Sequence, residues 1–128
     1  NLIVNAAQAA ADGDAAAPRV TVAAYQELGG DRPSVRIEIC DNGFGVDPGQ
    51  AERLFEPFFT TRPRGTGLGL AIVRRIVDQH HGRVQLDAQA AGGTCAVVSL
   101  PVGPIIEQDA SGKAVDDDKP NLTLVAST

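Results

Sequence analysis

Lysine is almost missing from this sequence: Lys113 and Lys119 are the only two, both within residues 104–128, and every basic residue before them is an arginine. Two large nucleotide-binding classes are thereby excluded. A P-loop needs a lysine after its glycine loop to reach the phosphates, and eukaryotic-type protein kinases need one on a strand beside theirs. Cysteine is scarce as well. Cys40 and Cys95 lie far apart in alternating apolar runs, so a zinc site is excluded and a disulfide is not required. Both are expected as small core residues of a cytosolic protein. No stretch approaches the ~20 consecutive apolar residues of a membrane span, and the start lacks the basic-then-apolar pattern of a signal peptide. The expectation is a cytoplasmic, soluble fragment that makes no membrane contact.

What is present is enough for one domain: 128 residues, 43% apolar, 21% charged, with a net charge of −5. The acidity is uneven. Residues 104–128 hold five acids against the two lysines, a net −3 that leaves −2 for the body, so a nucleic-acid-binding surface is disfavoured. Residues 1–11 are rich in helix formers and open as though inside a helix, which Asp12-Gly13-Asp14 ends. Val20-Thr-Val-Ala-Ala-Tyr25 and Val35-Arg-Ile-Glu-Ile-Cys40 read as a strand hairpin around Gly29-Gly30-Asp31-Arg32-Pro33. A short helical piece follows around 50–54. The stretch 55–66, with Pro57, Pro63 and Gly65, cannot be regular and is expected to be mobile. Residues 68–78 show helical apolar spacing with Gly82 as the stop, and 84–88 with 95–100 form a second hairpin closed by Pro101. The fold class is α/β, a two-layer sandwich of four strands and two helices. Residues 103–121 read as a linker, and 122–126 as the first strand of something further.

Four segments carry chemistry. Arg64-Gly65-Thr66-Gly67-Leu68-Gly69-Leu70 leads straight into the second helix, where glycines admit a polyanion to the backbone and the unpaired amides of a helix start suit phosphate. Its Gly-x-Gly-x-Gly spacing after a proline-bearing loop does not fit a Rossmann fingerprint; a flexible hinge remains open. Asp41-Asn42-Gly43-Phe44-Gly45 follows a strand that reads as buried, so Asp41 needs a donor, which an adenine amino group supplies, with Gly43 and Gly45 letting the base lie flat. A plain Asp-Asn-Gly turn is the other reading. Asn1 and Asn5 stack on one helix face, where amide oxygens can share a magnesium ion, or are simply solvated or capping. Phe55-Glu56-Pro57-Phe58-Phe59 suits either a lid or core, and Thr60, Thr61, Arg62 and Arg64 stand ready for β- and γ-phosphate oxygens. His80-His81 sits at a helix end and reads as structural.

Taken in order, these segments resemble the ATP-binding catalytic domain of sensor histidine kinases, in the GHKL superfamily with the chaperone, gyrase and mismatch-repair ATPases. Residues 1–9 resemble the Asn box, 41–45 the first glycine box, 55–61 the phenylalanine box, 65–70 the second glycine box and Gly92-Gly93-Thr94 the last. The resemblance implies a mixed, mostly antiparallel sheet with helices on one face, and a nucleotide pocket under a lid. It implies domain limits of 1–102, lacking the first strand and helix start, before an acidic tail. ATP and Mg2+ are the implied cofactors. Asn5 would hold the metal, Asp41 would accept from adenine, and Thr94 would support the base. Gln8, Gly43, Gly45, Val46, Phe59, Thr60, Thr61, Gly65, Thr66, Gly67, Leu68, Gly69 and Leu70 would complete the nucleotide site, with Asn1, Asn5 and Arg62 at the reacting phosphoryl group.

The superfamily's ATPases carry a water-activating glutamate where this chain has Asn1, so the resemblance points to phosphoryl transfer rather than hydrolysis. The Phe-Phe-Thr-Thr-Arg and Gly-Thr-Gly-Leu-Gly-Leu strings look most like the nitrogen-regulation and dicarboxylate-sensing kinases. Two departures stand out: Gln8 replaces a frequent lysine, and Arg62 another. The implied partners are a histidine-bearing dimerisation domain of the same dimeric parent and, indirectly, a response regulator. The rival readings are a serine-directed kinase of the anti-sigma type and a docking module that has lost its nucleotide.

Overall fold

A computed structural model describes residues 1–28 and 32–103. The turn residues Gly29, Gly30 and Asp31 and the expected linker and final strand lie outside the described residues. The elements run α1 (Leu2–Asp12), β1 (Val20–Glu27), β2 (Ser34–Asp41), a 3-10 turn (Arg53–Phe55), α2 (Gly69–Gln79), β3 (Arg83–Ala88) and β4 (Thr94–Pro101). The sheet order is β1-β2-β4-β3. All three pairings are antiparallel, so the parallel pair expected of a mixed sheet does not occur among the described residues.

Strand alternation decides which face is covered. Ile37 opposes Val98 and Ile39 opposes Ala96 in the β2–β4 register, so the four share one face with Val84 and Leu86 of β3. Both helices bury their apolar stripes there. Val77 and Val73 of α2 pack with Val84, Val98 and Phe55. Ala6 and Leu2 of α1 pack with Ile39 and Ala96. Beside this second cluster, along α1, space remains open over the sheet. On the opposite face Arg36 bonds Glu38 through Nε at 2.7 Å and approaches Glu27 at 3.8 Å. The Glu38 bond and the surrounding carboxylates hold the Arg36 guanidinium above its already high ordinary pKa.

Three local expectations are corrected. The expected helical piece around 50–54 is a single 3-10 turn ending at Phe55, because Pro57 forces Glu56 into extended backbone (φ −71°, ψ 136°). The left-handed residue that stops α2 is His81 (φ 55°), not Gly82. Gly82 is required for space: a Cβ there would lie 2.6 Å from Ser99 O and from Leu100 Cδ2. Cys40 and Cys95 are not two separate core thiols but a disulfide, since they face each other in the last pair of the β2–β4 ladder. Their distance along the chain concealed a register that antiparallel pairing creates. Among the described residues no helix is long and apolar enough to cross a membrane.

Candidate functional site

The space left beside α1 is a cleft of about 1030 Å³. Its floor is sheet, Ile39, Leu86 and Ala96, and one wall is the α1 face carrying Asn1, Asn5, Gln8 and Asp12. The other walls are the loop after β2, with Gly45 and Val46, and the segment from Phe59 to Gly67 that leads into α2.

At one end stands Asp41, nearly buried at 9% exposure. Its Oδ1 accepts from the Gly43 amide at 2.9 Å and the Thr94 amide at 3.3 Å. The turn reading of Asp-Asn-Gly is therefore correct as far as Oδ1 goes. Oδ2 accepts nothing from the described residues, and Asp41 and Thr94 both line the cleft. No buried polar side-chain atom among the described residues lacks a partner, so Oδ2 is open to the cleft, where a donor brought by a ligand can reach it. Asn42 is spent on structure, accepting from the Arg19 amide and donating to Ala17 O, both at 2.8 Å.

The glycines of this end serve close packing. Gly45 (φ +89°) lies against Gly93, where a Cβ would come 3.1 Å from Gly93 O. Gly93 (φ +94°) lies against Asp41 O. Gly43 does not line the cleft; it packs under α1 against Ala9 O, so its missing side chain makes room for a helix rather than for a base.

At the far end the chain enters α2 through Gly65, Thr66, Gly67 and Gly69, all on the cleft, as are Thr60, Thr61 and Leu70. Gly67 (φ +69°) faces the backbone of Phe58 (φ 66°), whose amide donates to Gly67 O at 2.9 Å. That contact ties the aromatic segment to the glycine loop. Leu68 does not line the cleft; it caps α2, with its amide donating to Thr66 Oγ1 at 3.4 Å. The first amides of α2 have no carbonyl within their own helix to bind, and the helix dipole adds positive potential there.

Arg62 crosses from this loop to α1, donating through one nitrogen to Gln8 Oε1 at 2.8 Å and through the other to Asn5 O at 3.1 Å. Gln8 carries no charge but holds one in place. Asn1 stands directly before α1, and its side chain makes no hydrogen bond to that helix. Neither its carboxamide nor that of Asn5 bonds a described residue, and both approach the start of α2, about 4 Å from where a Gly69 Cβ would stand. The atoms that approach are Asn1 Oδ1 and Asn5 Nδ2; the carboxamide oxygen each residue carries is a donor of the kind magnesium takes, so the chemistry of the pair fits that ion.

Of the aromatics, Phe55 is core, Phe59 lines the cleft beneath Arg53 (4.3 Å to the ring), and Phe58 is 76% exposed. Neither core nor lid describes all three. Sequence reasoning missed Asp12, Asp47 and Gln50, which also line the cleft. Asp12 was findable, because 1, 5, 8 and 12 share one helical face.

Residues 1–104 match the family described as histidine kinase-, DNA gyrase B-, and HSP90-like ATPase. The C4-dicarboxylate transport sensor protein DctS of Rhodobacter capsulatus is 40% identical over 102 residues, 80% of this chain and 15% of its own length. The sensory histidine kinase/phosphatase NtrB of the same species is 42% identical over 76 residues, 59% of this chain and 21% of its own. The mycobacterial sensor histidine kinase MprB superposes with a TM-score of 0.63 at 35% identity, covering 78% of this chain and 67% of that structure. Full-length ShkA, crystallised in complex with AMPPNP, superposes with a TM-score of 0.62 at 33% identity over 78% of this chain and 20% of its own. The chain thus spans about a fifth or less of the length of these curated relatives.

Proposed function

From the premise that this chain belongs to the histidine kinase-, DNA gyrase B- and HSP90-like ATPase family, we propose that it binds Mg-ATP and donates the γ-phosphoryl group to a histidine on a separate dimerisation domain of its parent. The observation that supports this most is one cleft with a carboxylate oxygen open to it and free of described protein donors at one end, and a glycine-lined helix start at the other.

Asp41 Oδ2 accepts from the adenine amino group, with Thr94 beside it and Ile39 and Ala96 beneath the ring. The loop from Gly65 to Gly69 receives the phosphates on backbone amides, Thr60 and Thr61 add hydroxyls, and Arg62, braced by Gln8 and Asn5 O, supplies the positive charge. Asn1 and Asn5 would hold the magnesium, which neutralises developing phosphate charge when bound. Asn1 has no basic site, so the chain offers nothing at that position to deprotonate water. The acceptor imidazole needs no such help, because it is already a base near neutral pH. What this domain provides is position and charge.

A response regulator follows the acceptor histidine in the same relay. A serine-directed kinase is disfavoured by the relatives, which are named sensor histidine kinases. The test is incubation of the domain with γ-labelled ATP and the parent's histidine-bearing helical domain. Acid-labile label on that domain, absent without magnesium, is the expected result. Label that withstands acid would identify a hydroxyl acceptor and overturn the reading.

A further inference from the structure

The Cys40–Cys95 disulfide lies at the end of the β2–β4 ladder that borders the cleft. The pair closes the last rung of the β2–β4 ladder, and the next residue outward on each strand, Asp41 and Thr94, belongs to the cleft. Those two are joined by the 3.3 Å bond from the Thr94 amide to Asp41 Oδ1. The covalent link is thus one residue from the group that reads the base.

We propose that Cys40 and Cys95 form a reversible thiol–disulfide site that sets the nucleotide affinity of the cleft. This rests on the nucleotide reading above. The cysteines project from the sheet face opposite both helices, since Ile39 and Ala96, their chain neighbours, face α1. No described helix covers that face. Cys95 is buried at 4% exposure and Cys40 is half-buried, so a reductant enters at Cys40.

One thiolate of a dithiol reductant attacks Cys40 Sγ to form a mixed disulfide, and Cys95 leaves as a thiolate that takes up a proton. The reductant's second thiolate then attacks its own mixed sulfur and releases Cys40 as a thiol. Two electrons and two protons pass to the protein, and the reductant ends as its own disulfide. Without the covalent link the last rung is held by the ladder alone and is free to open. The Asp41–Thr94 bond is already long and lies directly beyond that rung. The carboxylate then loses one of its two fixed donors and samples orientations that do not meet the base, which lowers apparent affinity by the fraction of competent molecules.

The test is titration of the chain with AMPPNP and magnesium before and after dithiothreitol, with thiols counted in denatured protein to establish each redox state. Affinity is expected to fall about threefold to tenfold on reduction, and Cys40→Ala/Cys95→Ala is expected to show the reduced-state affinity and ignore the reductant. Equal affinity in both redox states of the wild type would overturn the proposal, as would two free thiols that no oxidant joins. Absence of nucleotide binding in both states would instead overturn the nucleotide reading on which the coupling rests.

Discussion

At the scale of single residues, the cleft is distinguished by side chains that decline their ordinary local roles. The carboxamides of Asn1 and Asn5 bond no described residue, and Asp41 is nearly buried yet keeps one oxygen open to the cleft. Arg62 does have partners, and both lie on α1. Arg62→Ala is expected to weaken binding of a triphosphate analogue about tenfold or more, the usual worth of a hydrogen bond to a charged group, while adenosine binding changes little; paired titrations check it. Gly82→Ala should cost about 1–3 kcal/mol in urea unfolding, because its Cβ would press on Ser99 O and Leu100 Cδ2. Sequence reasoning identified Gly82 and misread its purpose, since a helix-stopping glycine and one that makes room for a neighbouring strand look alike in one dimension. Gly43 misled in the same way, its crowding partner being Ala9, a residue distant in sequence.

At the scale of elements, strands and helices were legible because their periodicities are local, whereas the connection from 42 to 68 was not. Its order comes from contacts with other elements. Phe55 enters the core with Val77, Val84 and Val98, Arg74 stacks on the Phe55 ring at 4.1 Å while bonding Glu52 at 2.9 Å, and Phe58 meets Gly67 through backbone. Three phenylalanines in five residues thus have three different surroundings, which their composition does not distinguish. Phe55→Ala is expected to lower stability by about 3–5 kcal/mol, and Phe58→Ala, at an exposed position, by no more than about 0.5 kcal/mol. Urea midpoints for the two variants measure the contrast.

At the scale of the whole molecule, one arrangement explains both the packing and the site. Two helices lie on one face of a four-stranded antiparallel sheet, and beside α1 opens a cleft whose ends come from loops far apart in sequence. The order of the motifs was readable in the sequence; the disulfide between β2 and β4 was not, because it depends on strand register. The central claim is that the cleft binds adenine nucleotide through Asp41. Calorimetric titration of this chain with AMPPNP, with and without magnesium and beside Asp41→Asn, tests it most directly. Saturable binding, stronger with magnesium and lost in a folded Asp41→Asn variant, is the predicted result. Absence of binding in the folded wild type, or undiminished binding by the variant, would contradict it.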